Sequence, residues 1–168
     1  CSIQRMPKQL SHLPAYDFAG RVAIVTGGTR GLGRQIAVRL AAAGCAVAVC
    51  GRTQPEDLPA GLTFYSADVR DPEQAHDLVN KVAEVHGRLD ILVNNAGGSP
   101  ASDIASASPR FIDAILKLNM VGPLYMAQAA YPHMLAQGGG SIINIASVSG
   151  ARPSPGTVVY GMAKAGLI

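Results

Sequence analysis

The chain has 168 residues, 48% of them apolar and 15% charged, with a formal net charge of +3. That is the make-up of one globular domain rather than of a disordered segment. The lysines and arginines form no run and have no interleaved aromatics, which argues against nucleic acid as a partner. No apolar run approaches the ~18 residues of a membrane-spanning helix, and Cys1 to Tyr16 lacks the apolar centre of a signal peptide. Three cysteines cannot all pair, and neither C-x-x-C nor a Cys/His cluster with metal spacing is present, so no metal is expected. The default setting is reducing and cytoplasmic. The four isolated histidines read as surface or packing residues.

Residues 1–19 show no period and read as an arm ahead of a single domain over 20–168. Val22 to Val25 is an apolar run with the character of a strand buried on both faces. From Gly31 to Ala43, Leu32, Ile36, Ala37 and Leu40 recur at helical spacing, and Gly44 ends the helix. Ala46–Cys50 and Leu62–Ala67 are predicted strands, with Cys45 and Cys50 as small apolar thiols at the ends of the first. Asp71-Pro72-Glu73 opens a helix with a cap, a first-turn proline and an acid at the positive end. Its apolar face is Ala75, Leu78, Val79, Val82 and Ala83, and Gly87 stops it. Asp90–Val93 is a fourth strand. Ser108-Pro109 begins the longest helix, which Pro123 is expected to bend or break. Ser141–Ala146 is a fifth strand, and a last helix starts near Val158. Helices alternating with apolar strands predict an α/β fold: a doubly wound parallel sheet of the Rossmann type.

Gly27, Gly28, Thr29, Arg30, Gly31, Leu32 and Gly33 stand between the first strand and the first helix. Phosphate binding needs that placement, because backbone N–H groups and the helix dipole meet the anion there. Glycines permit positive φ and close approach of a pyrophosphate. A glycine-rich turn alone is a weak signal, but its position in the first βα unit strengthens it. The spacing is G-x-x-x-G-x-G, and with Thr26 it resembles the T-G-x-x-x-G-x-G signature of the short-chain dehydrogenase/reductase family. It differs from the T-G-x-x-G-x-x-G of the extended sugar-nucleotide epimerase branch.

The second strand ends Val49-Cys50-Gly51-Arg52, without the acidic residue that would bind the ribose 2′-OH of NAD. An arginine there suits a 2′-phosphate, and Arg30 adds a second cation. This pair resembles the NADP-preferring pattern, so NADP(H) is favoured over NAD(H). Asp68-Val69 resembles the family's pair beside the adenine ring; a plain turn aspartate is the alternative.

Asn94-Asn95-Ala96-Gly97 matches the family's N-N-A-G turn, and the resemblance implies that Asn95, Ala96 and Gly97 line the cofactor's ribose side. Tyr160 and Lys164 are four apart on a predicted helix and therefore share a face. A lysine ammonium near a phenol favours the phenolate, as general acid–base catalysis requires. Ser147 lies 13 residues before Tyr160 at a strand end; Ser149 is its rival, and the spacing selects Ser147. Asn119 resembles the family's helix asparagine, which holds a water for proton relay.

The resemblance covers residues 20–168 and implies hydride transfer between NADP(H) and a carbonyl/alcohol substrate. Tyr160 would exchange the proton, Lys164 would support it and hold the nicotinamide ribose, Ser147 would orient the oxygen, and Asn119 would serve the relay. The family continues beyond the lysine, which implies an incomplete sheet with an open strand edge. It also forms homodimers and homotetramers through two long helices, here around 109–137 and 158 onward. Pro153, Ser154, Pro155, Gly156 and Thr157 offer a substrate no fixed charge, apart from neighbouring Arg152, and suit a neutral or apolar carbonyl. The alternative is a catalytically silent dinucleotide-binding module.

Overall fold

The computed structural model describes residues 16–152 and 154–168. Most of the expected arm, Cys1 and Pro153 lie outside the described residues.

The elements follow the expected alternation. They are β1 (Val22–Thr26), α1 (Gly31–Ala42), β2 (Ala46–Gly51), β3 (Leu62–Ser66), α2 (Pro72–His86), β4 (Ile91–Asn94), α3 (Pro109–Leu116), α4 (Gly122–Ala136), β5 (Ser141–Asn144) and α5 (Val158–Leu167). The five strands form one parallel sheet in the order β3-β2-β1-β4-β5. The chain leaves β1 toward β2 and β3, then returns to place β4 on β1's other side. That reversal opens a crevice beyond the carboxyl ends of β1 and β4, where open α/β sheets bind ligands.

Alternate side chains of the central strands enter opposite cores. Val22 and Ile24 of β1 join Leu78, Val79 and Val82 of α2 and Met126 and Ala130 of α4. Ala23 and Val25 join Ala37 of α1 and Val47 and Val49 of β2, with Phe18, Ile36 and Leu40 packed against them. Burial on both faces is why β1 reads as an unbroken apolar run.

Three expectations need correction. The fifth strand ends at Asn144 rather than Ala146, and all four of its residues are exposed, with Ile142 39% and Ile143 46% accessible. Among the described residues no strand pairs with its outer edge, so its apolar run signals burial that these residues do not supply. The third strand stops at Ser66 and is buried only at Leu62, as an edge strand allows. Pro123 does not break the long helix. The helix widens into a π-helical turn at Lys117–Val121, immediately before Pro123, and runs on through it as α4. Pro132, inside α4, is the proline that interrupts the helix ladder.

Two helices begin with side-chain caps. Asp71 accepts from the N–H groups of Glu73 and Gln74, and Ser108 accepts from that of Phe111. Helix α1 has none: its N-cap is Arg30, extended, with no side-chain hydrogen bond. Its first-turn donors are therefore left to a ligand or to water.

Candidate active site

The uncapped end of α1 faces a groove of about 700 Å³ at the carboxyl ends of β1, β2 and β4. Ligand clefts typically hold ~300–1,000 Å³. Gly27, Thr29, Arg30, Gly31, Leu32 and Gly33 form one wall. Arg52 lies at the end of β2, Asp68 and Val69 follow β3, and Asn95, Ala96 and Gly97 follow β4. The fold thus gathers on one cavity every expected cofactor-contacting residue up to Gly97. The sequence reading missed Thr53, Arg70 and Leu118, which line it as well.

The glycine positions are sterically required. Gly27 has φ +63°, and a Cβ there would lie 3.0 Å from Ala96 Cα. A Cβ on Gly33 would fall 2.3 Å from Asn95 Nδ2 and 2.5 Å from the Gly27 carbonyl oxygen. Gly28, absent from the expected contact set, meets Val49 instead: its Cβ would sit 2.5 Å from Val49 Cγ1. Gly31, at φ +55°, has open space where a Cβ would be.

The loop and the Asn-Asn-Ala-Gly turn are tied through Thr26, which the sequence reading names in the loop signature without a contact of its own. Its hydroxyl accepts from the N–H groups of Asn95 (3.0 Å) and Ala96 (2.9 Å) and donates to the Val93 carbonyl. Asn95 Nδ2 donates to the carbonyls of Thr26 (2.9 Å) and Gly27 (3.3 Å). Nothing in one sequence signals this, because β1 and β4 become neighbours only in the sheet. Asn94 is buried, and its Nδ2 donates to the Pro123 carbonyl and to Asn144 Oδ1, joining β4 to α4 and β5.

The catalytic candidates lie beyond Gly97, on α5 and beside it; Asn119, Ser147, Tyr160 and Lys164 do not themselves line the groove. Lys164 is 3% exposed; its ammonium donates to the Ile145 carbonyl at 2.7 Å and stands 5.8 Å from the Tyr160 ring centroid. Burial pushes its pKa down from the usual lysine value. Gly97 passes close by, since a Cβ there would lie 2.7 Å from Asn119 Oδ1 and 3.4 Å from Lys164 Nζ. Ser147 caps a short 3-10 turn, Val148–Gly150, and its Oγ accepts from the Ser149 N–H. That turn presses on α5: a Cβ on Gly161 would meet the Ser149 carbonyl oxygen at 2.8 Å, and one on Gly150 would meet Lys164 backbone at 2.9 Å. These two glycines, also unremarked in the sequence, let the serine turn and the tyrosine helix approach.

Asn119 is fully buried in the π-helical turn. Its Oδ1 accepts from the Gly98 N–H (2.8 Å), and its Nδ2 donates to the carbonyls of Gly98 (3.0 Å) and Ile115 (2.9 Å). The side chain therefore holds the loop after Gly97 against the helix. The Ile115 bond to its own helix accompanies the widened turn.

The end of the groove beside β2 and β3 is cationic. Arg30, Arg52 and Arg70 line it, against one carboxylate, Asp68. Asp68 takes the turn role: its Oδ1 accepts from the Arg70 N–H, and its two oxygens accept from the Arg70 guanidinium. That contact, with a smaller contribution from Arg52, holds the Asp68 carboxyl below the usual range. Cys50 is buried, with its thiol pKa pushed up to about 12 by desolvation, so it stays protonated and unreactive. Cys45 and Cys50 are free. Among the described residues no cluster fits a metal and no helix is long and apolar enough to cross a membrane.

Comparison with known proteins agrees with this geometry. Residues 21–168 match the short chain dehydrogenase family. A Streptomyces violaceoruber protein, named as ketoacyl reductase 2 of the granaticin polyketide synthase, is 39% identical over 86% of this chain and 62% of its own length. The 3-oxoacyl-acyl-carrier-protein reductase FabG of Thermotoga maritima is 32% identical over 89% of this chain and 64% of its own. A crystal structure from Sinorhizobium meliloti, described as a short-chain alcohol dehydrogenase, superposes with a TM-score of 0.85 at 38% identity, covering 92% of this chain and 65% of that one. The chain thus spans somewhat less than two thirds of these relatives. With its sheet order, glycine loop and Tyr160–Lys164 helix in place, the chain belongs to the short-chain dehydrogenase family.

Proposed function

We propose that this chain is the cofactor-binding and catalytic part of an oxidoreductase that transfers a hydride between NADP(H) and a carbonyl/alcohol substrate. The observation that carries the reading is the single groove that runs from three arginines, past an uncapped helix end, to Gly97 beside buried Lys164.

The residues present fit such a cofactor. Gly27 and Gly33 keep the loop pressed on the Asn95–Ala96 turn, which leaves the first-turn N–H groups of α1 facing the groove. Those donors suit a pyrophosphate, and Arg30 and Arg52 suit a 2′-phosphate. Asp68 and Val69 would flank the adenine, and Asn95, Ala96 and Gly97 the nicotinamide-side ribose. When bound, the nicotinamide supplies the carbon that gives or takes the hydride.

The chain's own groups handle the proton and the orientation. Tyr160 gives a proton to the substrate oxygen in reduction and takes one in oxidation. Lys164, fixed by the Ile145 carbonyl, keeps a cation beside the phenol and favours the phenolate. Ser147 hydrogen-bonds the substrate oxygen from its rigid turn. Asn119 holds the Gly98 backbone in place and serves a proton relay through its own backbone. The names of the ketoacyl reductase relatives support a carbonyl substrate, and the lack of fixed charge in residues 154–157 favours a neutral or apolar one. Exposed Leu124, Tyr131 and Leu135 on α4 support a homodimer or homotetramer.

The test is a fluorescence titration of the intact protein with NADPH and with NADH at one salt concentration, followed by a carbonyl screen. NADPH should bind ahead of NADH. Equal or better NADH binding would end the 2′-phosphate reading and leave the family. The second reading is a catalytically silent dinucleotide-binding module with the same groove. Tyr160→Phe separates the two: the enzyme loses about 10²–10⁴-fold in turnover and keeps its cofactor, whereas a module has no turnover to lose.

A further inference from the structure

Asp68 is the one carboxylate lining the groove, and it stands among three arginines. Arg70 alone engages it. The Arg70 Nε lies 2.9 and 3.1 Å from the two Asp68 oxygens, and Nη2 also donates to the second. The Arg70 N–H closes a two-residue turn on the same carboxylate, so the pair is locked at both backbone and side chain. Among the described residues, Arg30 and Arg52 have no carboxylate partner; the ion pairs there are Arg21–Asp90, Arg34–Asp57, Arg70–Asp68, Lys81–Glu84 and Arg88–Asp90.

The arrangement poses a competition. Asp68 and Arg52 line the same groove, and the Arg52 charge already acts on the Asp68 carboxyl; a carboxylate freed to pair with Arg52 would occupy that guanidinium and repel a phosphate monoester. Arg70 removes the conflict by taking both carboxylate oxygens in a fork, a geometry a lysine does not reproduce. We propose that Arg70 is a specificity-determining positioning residue: by sequestering Asp68 it keeps Arg52 and Arg30 available for the 2′-phosphate of NADPH. This rests on the NADP reading above. It predicts that discrimination between the two cofactors depends on residue 70, although Arg70 is assigned no direct contact with the phosphate.

A double-variant cycle, whose combined member keeps the wild-type net charge, tests it. Dissociation constants for NADPH and NADH are measured by fluorescence titration on the intact protein, as wild type, Arg70→Ala, Arg70→Lys, Asp68→Asn and Arg70→Ala/Asp68→Asn. Arg70→Ala should weaken NADPH about tenfold while changing NADH less than about threefold. Arg70→Lys should fall between Arg70→Ala and wild type. Adding Asp68→Asn to Arg70→Ala removes the stranded carboxylate and restores the wild-type ratio of the two constants, a rescue that a purely structural role would not produce. Equal weakening of both cofactors by Arg70→Ala, or failure of the double variant to recover, overturns the proposal. Thermal unfolding of each variant with and without NADPH shows whether the fold is kept; if Arg70→Ala does not fold, Arg70→Lys against Asp68→Asn decides by the same ratio. Wild-type protein without NADPH preference would instead refute the underlying NADP reading, an outcome visible before any variant is made.

Discussion

Replacing Gly33 by alanine should damage both the fold and the cofactor groove. The new Cβ would lie 2.3 Å from Asn95 Nδ2 and 2.5 Å from the Gly27 carbonyl oxygen, where ordinary van der Waals contact begins near 3.4 Å. The Gly27 backbone has little room to retreat, because a Cβ built on it already sits 3.0 Å from Ala96 Cα. Asn95 must therefore turn away, giving up its bonds to the Thr26 and Gly27 carbonyls. Overpacking of a tight site costs about 1–3 kcal/mol, and each net hydrogen bond about 1 kcal/mol. The helix start gains less than about 1 kcal/mol from alanine's propensity. The expected sum is a destabilisation of about 2–4 kcal/mol, read as a lower urea midpoint at unchanged m-value. NADPH affinity should fall with it, since the loop and the Asn95 turn share one wall. A variant with an unchanged midpoint and unchanged NADPH binding would refute the claim that this contact sets the loop.

Asp90 accepts from Arg21, Arg88 and the Val22 N–H, with its side chain 7% exposed, and the Arg88 guanidinium above all holds its carboxyl far below the usual range. A depressed folded pKa contributes stability above the unfolded value of about 3.9 and loses it as pH falls toward the folded value. Asp90→Asn should therefore cost about 1.5–3 kcal/mol at pH 7, and urea midpoints of wild type and variant should converge only below about pH 4; a pH-independent gap would refute this. Asn119→Leu leaves the Gly98 N–H and C=O without their partner and should cost about 2–4 kcal/mol by the same denaturation assay. Gly161→Ala gains about 1 kcal/mol of helix propensity but drives a Cβ to 2.8 Å from the Ser149 carbonyl oxygen. Stability should change little while kcat drops and cofactor affinity holds, because the serine turn moves and the groove does not; an unchanged kcat would refute the role given to that approach.

Much of the fold was legible in local chemistry. The caps at Asp71 and Ser108, the first-turn prolines and the stop at Gly87 act within a few residues, and the structure has them where the spacing predicts. The central strands were legible because burial on both faces leaves an unbroken apolar run. Errors fell where neighbours decide. Strand β5 carries Ile142 and Ile143, yet among the described residues no strand pairs with its outer edge, and it is short and exposed. The long helix widens over Lys117–Val121, where Asn119 bonds the backbone of Gly98 in the loop after β4, a partner that helical spacing does not show.

The sequence by itself determined the order of elements, the family and most of the residues that meet around the groove, since spacing along one strand, turn or helix is a property of the chain. Tertiary structure alone decided what those residues are bonded to. Thr26 joins the two turns only because β1 and β4 pair across the switch point. Gly150 and Gly161 matter only because a turn and a helix meet at their backbones. Such relations depend on distances through space, which the folded core sets and no local period records.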